Sequence, residues 1–230
     1  VRRLFAAALI GLCILALQGG CTSIADSGDD TYQVQPQDTL YSIAWRHDLD
    51  FRDLARWNGI GADYRIAVGQ TLRLRPGPAG DVGAAATPPR EPAAMGGSQK
   101  PSAPVHRAPG PPPAWTWPTA PPLAPRSVRG GVVFTGRLGQ AILAAAGGRV
   151  VYTGSGIRGL GELIIIKHSE TLLSAYAYNR DVSVHEGEDV RAGQTIASMG
   201  QDAAQQPALY FEIRLNGQAV DPLPYLSARK

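Results

Sequence analysis

Tyr210-Phe211-Glu212-Ile213-Arg214-Leu215-Asn216-Gly217-Gln218-Ala219-Val220 is the stretch that decides the fold. Aromatic and β-branched residues favour extended backbone, and an Asn-Gly pair suits a two-residue turn that needs two positive φ values. The segment therefore predicts a strand that turns straight back into an antiparallel partner. Upstream, Arg149-Val150-Val151-Tyr152, Leu163-Ile164-Ile165-Ile166-Lys167 and the alternating run from Leu172 to Tyr178 read as further short strands with glycine turns between them. Everything after Gly130 is expected to be a mainly antiparallel β domain.

Composition bounds the rest. The chain has 230 residues, 44% hydrophobic and 18% charged, which excludes both a fully disordered tail and a multi-span membrane protein. Fifteen of its 19 prolines lie between Pro76 and Pro125. That stretch, mixed with Ala and Gly and without apolar period, is expected to be an extended linker over residues 76–128. Trp115 and Trp117 stand out in it as indoles able to dock on the following domain. A net charge of +3 is spread thinly, and no Lys and Arg run interleaved with aromatics supports nucleic-acid binding.

Val1-Arg2-Arg3 followed by the apolar run Leu4 to Leu17 reads as an export signal over residues 1–20. Fourteen helical residues span about 21 Å, short of the ~30 Å hydrocarbon core. Gly19-Gly20-Cys21 resembles the bacterial lipobox, with Gln18 where that motif usually has Leu. The resemblance implies diacylation of Cys21, and Thr22 in place of Asp implies sorting to the outer membrane, anchored at its periplasmic face. Cys13, the only other cysteine, would leave with the signal, so the mature chain can form no internal disulfide.

Between these segments, Tyr32-Gln33-Val34 reads as a strand, and Asp38 or Thr39 can cap a helix whose apolar face is Leu40, Ile43 and Ala44. Asp50 can cap a second helix that ends at Asn58-Gly59, and Thr71-Leu72-Arg73-Leu74 closes with a strand. This strand-helix-helix-strand order over residues 31–75 resembles a LysM domain, a small α+β fold. The resemblance implies binding to N-acetylglucosamine in peptidoglycan glycan strands, with Asp38, Thr39, Leu40, Asn58 and Ile60 near the sugar. Leu40 and Ile60 equally suit a core, and Asp38 a cap.

Residues 129–226 resemble the LytM domain of lysostaphin-type zinc endopeptidases, and the whole arrangement resembles NlpD-type lipoproteins. The resemblance rests on Gly139-Gln140-Ala141-Ile142, Gly148 to Tyr152, Gly159-Leu160-Gly161, Ile164 to His168, Ser174 to Ala177, Gly193-Gln194, Phe211-Glu212 and Asn216-Gly217. The run Val184 to Ile196 is also similar to a biotinyl or lipoyl carrier hairpin, but no modifiable Lys follows at a turn. An active LytM enzyme holds zinc by His, Asp and His and uses two further His. Aligned on Gly139-Gln140, those positions carry Arg129, Val133, Tyr178, Ala208 and Tyr210. No catalytic residue, metal or cofactor is therefore expected. His47, His106, His168 and His185 read as structural or solvated.

A degenerate LytM domain joined to a LysM resembles the activators of periplasmic N-acetylmuramoyl-L-alanine amidases that act in septal peptidoglycan splitting and daughter-cell separation. The vacant groove, walled by Tyr178 and Tyr210, is then the expected amidase contact. Rival readings are a purely structural wall anchor without an enzymatic partner and, against the missing ligands, a zinc endopeptidase. The long linker leads to the expectation that the two domains move independently.

Overall fold

The computed structural model describes residues 30–77, 115–120 and 125–227. The signal segment and Cys21 lie outside the described residues. The N-terminal module runs β1 (Thr31–Gln33), α1 (Leu40–Arg46), α2 (Phe51–Trp57) and β2 (Thr71–Arg73), with β1 and β2 paired antiparallel. Thr39 caps α1: its hydroxyl accepts from the Ser42 amide at 3.1 Å while the Ser42 hydroxyl accepts from the Thr39 amide at 3.0 Å. This reciprocal pair satisfies donors that the first helical turn leaves free, and losing such a cap typically costs ~1 kcal/mol. Asp50 caps α2 by accepting from the Arg52 amide at 2.8 Å. Leu40, Ile43, Leu54 and Leu72 are fully buried between the helices and the β ribbon.

The second domain is a sheet of ten antiparallel strands. They are β3 (Arg126–Val128), β4 (Gly131–Thr135), β5 (Ala141–Leu143), β6 (Gly148–Gly154), β7 (Glu162–Lys167), β8 (Leu172–Val182), β9 (Asp189–Val190), β10 (Thr195–Gln201), β11 (Pro207–Leu215) and β12 (Gln218–Val220), followed by a short helix α3 (Leu223–Ser227). Strand β11 is central, pairing with β4 on one edge, with β8 on the other and with β10 near its start. It turns into β12 through Asn216 (φ 51°) and Gly217 (φ 75°), the left-handed pair that a two-residue turn requires. Because side chains alternate along a strand, Leu209, Phe211 and Ile213 enter one core with Val132, Phe134, Ile164, Ile166 and Tyr176.

Two sequence expectations need correction. The segment read as linker is not all linker: Arg126–Val128 forms β3 on the outer edge of β4, and Trp115, Pro118 and Thr119 are buried while Trp117 stays exposed. Trp115 lies edge-on to His168 and Tyr225, at 5.0 and 5.5 Å between ring centres. Pro118 cannot donate, but its carbonyl accepts from the Leu143 amide at 2.8 Å, so a proline-rich strip covers part of β5. Nor do the two domains stand apart. The other face of the sheet, with Val133, Tyr152, Leu163, Ile165, Leu173, Ala175, Ala177, Ala208 and Tyr210, belongs to one buried cluster with Leu40, Ile43, Trp45 and Phe51 of the N-terminal module. An apolar sheet face this wide gains more from cover than the linker's freedom costs.

His168 bridges this core. Its Nδ1 lies 2.8 Å from the Gly147 carbonyl, which can only accept, so Nδ1 carries the proton and Nε2 accepts from the Ser174 hydroxyl at 2.7 Å. Burial pushes the ring's pKa down to about 4 from 6.5, against a smaller upward effect of the Gly147 bond. Between those values the unfolded chain binds a proton that the folded one refuses, so this group's contribution to stability is complete above pH 6.5 and lost as pH falls to about 4. His168→Asn is expected to lower the melting temperature at pH 7 and to flatten its dependence on pH across that window, measured by circular dichroism.

Candidate functional site

The alternation of β11 that sends Phe211 into one core places Ala208, Tyr210, Glu212 and Arg214 together on the opposite face. Pairing with β4 sets Val133 directly across from Tyr210 and Thr135 across from Ala208. Tyr178 enters from β8. Its φ of 64° breaks the two-residue alternation, so that Ala177 and Tyr178 both join this side, and its ring centre lies 6.3 Å from that of Tyr210. The turn between β3 and β4 closes over the same spot: a Cβ on Gly130 would come within 3.0 Å of the Tyr210 hydroxyl. Arg129, beside it, is exposed. Four of the five expected groove positions thus share one face, and the fifth sits at its margin.

Their chemistry is that of a closed surface. The Tyr210 hydroxyl donates to Glu212 Oε2 at 2.6 Å, and Arg214 Nε donates to Glu212 Oε1 at 2.7 Å. Burial, reinforced by the neighbouring Glu212 charge, raises the Tyr210 phenol well above its usual range, so it stays neutral. Burial also raises Glu212, a larger effect than the attraction of Arg214. Both carboxylate oxygens of Glu212 are engaged within the chain, and the side chain is buried. Val133 and Ala208 have no donor atom, and a protonated phenol does not replace an imidazole as a zinc ligand. Among the described residues no group of three or more His, Cys, Asp or Glu is placed to hold a metal ion. His185 is exposed on a turn, 3.0 Å from Glu188, and His106 lies outside the described residues.

The expected sugar-contact residues in the N-terminal module are largely committed to its own fold. Leu40 is fully buried and Thr39 is the α1 cap. Asn58 clamps the end of α2 to β2, donating to the Leu54 and Arg73 carbonyls at 2.8 and 2.9 Å and accepting from the Arg73 amide at 2.7 Å. Asp38 accepts from the Tyr32 hydroxyl at 2.7 Å, from the Gln35 amide at 2.8 Å and from Arg46 at 3.0 Å, and Arg46 also reaches Tyr32. Ile60 is half-buried. What remains open around them is backbone and the exposed residues Gln37, Gly61 and Ala62.

Sequence reading missed Arg214, Lys167 and Trp45. Arg214 has a side chain only 6% exposed, and beyond Glu212 it donates to the Trp45 carbonyl at 3.1 Å and to Asp48 at 2.8 Å, with its guanidinium 3.9 Å from the centre of the Trp45 ring. Lys167 Nζ lies 5.0, 5.3 and 6.0 Å from the ring centres of Tyr64, Phe51 and Tyr41. The alternation of β11 was a usable signal for Arg214, since a strand buried on both faces forces each polar residue on it to find a partner.

Comparison with known proteins agrees with this architecture. A LysM domain model matches residues 32–75, and a model of peptidase family M23 matches residues 127–222. The chain is 41% identical over 239 residues to the lipoprotein NlpD/LppB homolog of Pseudomonas aeruginosa, covering 86% of this chain and 77% of that protein. It is 36% identical over 258 residues to the murein hydrolase activator NlpD of Escherichia coli K12, covering 86% and 68%. It is also 37% identical over 228 residues to the uncharacterized lipoprotein YgeR of the same organism, covering 94% and 90%. The catalytic domain of lysostaphin from Staphylococcus simulans aligns at 28% identity with a TM-score of 0.40, covering 43% of this chain and 78% of that one.

With Val133, Ala208 and a neutral Tyr210 on the groove face, the purified chain is expected to carry no stoichiometric zinc after dialysis against micromolar zinc. Elemental analysis checks this, and one zinc per chain would contradict it.

Proposed function

The chain, with its LysM domain and its peptidase family M23 domain, belongs to the NlpD/LppB lipoprotein family, and from that premise we propose that it is a non-catalytic activator of cell-wall hydrolysis. In this reading the LysM domain holds peptidoglycan glycan strands through the loops around Asp38, Thr39, Leu40, Asn58 and Ile60. The M23 domain engages a periplasmic N-acetylmuramoyl-L-alanine amidase during septal peptidoglycan splitting and daughter-cell separation. A lipid on Cys21 keeps both at the periplasmic face of the outer membrane.

The single observation that carries the reading is the composition of the groove. Positions that hold zinc and move protons in the enzymes it resembles carry, in this reading, Val133, Tyr178, Ala208 and Tyr210, two without donor atoms and two aromatics, with Arg129 at the margin. A face lined by Val, Ala and Tyr suits recognition rather than chemistry. The name murein hydrolase activator, borne by the E. coli relative, supports the same conclusion. Activation needs only that the groove bind the active form of the amidase more tightly than the inactive one.

In a dye-release assay on labelled peptidoglycan, the chain alone is expected to release nothing and to accelerate an amidase added to it. Tyr178→Ala with Tyr210→Ala is expected to reduce that acceleration at least about tenfold, the factor equivalent to ~1.4 kcal/mol of binding. A melting curve must first show the variant folded, because removing a buried aromatic can cost ~3–5 kcal/mol of stability. Cys21→Ser is expected to abolish lipid labelling and to release the chain from outer-membrane fractions, read by fractionation.

A further inference from the structure

We propose that the groove face already has an occupant, the chain's own LysM domain, and that LysM and amidase are mutually exclusive on it. This rests on the activator reading above and names how that site is regulated.

Three separate contacts fix the cover. At its centre, the two terminal nitrogens of Arg214 are satisfied by the Trp45 carbonyl and by Asp48, both on the LysM domain, while Nε holds Glu212 beside Tyr210. At one margin Lys167 points into the Tyr41, Phe51 and Tyr64 rings, and the Tyr64 hydroxyl donates to Glu170 at 3.2 Å. At another, Arg52 donates to Asn216 at 2.9 Å, and the hairpin tip fits so closely that a Cβ on Gly217 would stand 2.7 Å from the Asp50 backbone. Under these contacts lie Ile165, Ala175 and Tyr210, on the floor and wall of the groove. A protein reaching Tyr210 has to displace the α1 end of the LysM domain.

The cover is also removable. Its marginal contacts, from Arg52 and Tyr64, are exposed hydrogen bonds of the kind that individually contribute little at a surface, and the two nitrogens that Arg214 gives to Trp45 and Asp48 can be taken over by water on opening. Residues 78–114 give the LysM domain chain enough to reach as far as ~120 Å when fully extended. If the closed form predominates, the apparent affinity for the amidase falls by the fraction of chains that are open. Loosening the cover from the LysM side, without touching the groove, should therefore increase activation.

Asp48 and Tyr64 are the handles. The Asp48 side chain is 86% exposed and faces Arg214, so Asp48→Lys sets two cations against each other; because Asp48 has φ 54°, a melting curve and Asp48→Asn, which tolerates that backbone, control for strain. Tyr64 has φ 53°, which asparagine tolerates, so Tyr64→Asn removes a wall of the Lys167 cage and the bond to Glu170. The chain from residue 22 onward contains no cysteine, so spin labels at Val68→Cys and Leu138→Cys, both exposed, report the distance between the domains. Pulsed dipolar spectroscopy is expected to give one narrow distance for the parent and a broad, longer distribution for Asp48→Lys with Tyr64→Asn. In the dye-release assay with amidase, the double variant is expected to stimulate at least about fivefold more than the parent at subsaturating concentration, a gain bounded by the parent's open fraction. A broad distribution in the parent overturns the docked cover. A variant that opens yet stimulates no better overturns the exclusion. If neither chain stimulates the amidase, the activator reading fails and the exclusion fails with it, while the distance still decides whether the LysM domain docks.

Discussion

A buried guanidinium needs a partner for each of its nitrogens, and Arg214 meets that requirement only with the LysM domain in place. Glu212 takes one, and Trp45 and Asp48 take the others. Breaking a buried pair typically costs ~3–5 kcal/mol because it strands a charge, far more than a surface pair contributes. The Glu212–Arg214 pair is different in kind from the contacts at the margins. It sits in β11, the strand that joins most of the sheet, so the element that organises the β domain also carries the charge that calls for cover. When the cover lifts, water has to take over the two nitrogens that Trp45 and Asp48 release.

Much of the fold was legible because local rules and tertiary needs agree there. The Asn216-Gly217 turn, the Thr39 and Asp50 caps and the apolar stripe of Leu40, Ile43 and Ala44 each follow from a few neighbouring residues. Val133, Tyr178, Ala208 and Tyr210 share one face because β11 pairs with β4 and β8, a long-range placement. Asp38 shows the limit: its sequence position suits a cap or a sugar contact, and only the approach of Tyr32 and Arg46 reveals a buried hydrogen-bonding hub. Docking of one domain on another was not legible at all. Its partners, such as Arg214 with Trp45 and Lys167 with Tyr64, lie far apart in sequence and leave no period or spacing to detect. The packing of Trp115 on the β domain is a separate matter and was legible, because an indole in a proline-rich strip has little reason to remain in water.

Val133, Ala208 and Tyr210 are all buried, so this face of the sheet is largely apolar. A zinc site must stay partly open to water and substrate, whereas this face is free to become dry. Burial raises both the Tyr210 phenol and the Glu212 carboxyl, and one hydrogen bond joins them. Such a surface offers shape and buried polar groups to a protein partner, the properties that concentrate binding energy in a few residues.

The central position of β11 also bears on the order in which the molecule is made. Its neighbours β4 and β8 lie well upstream, so the sheet cannot close until β11 itself has been delivered. The LysM domain, complete by Arg75, is finished long before that. In a chain delivered N-terminus first, the apolar groove face therefore takes shape beside a folded, covalently attached shield. The apolar face thus need never wait long in water for its cover.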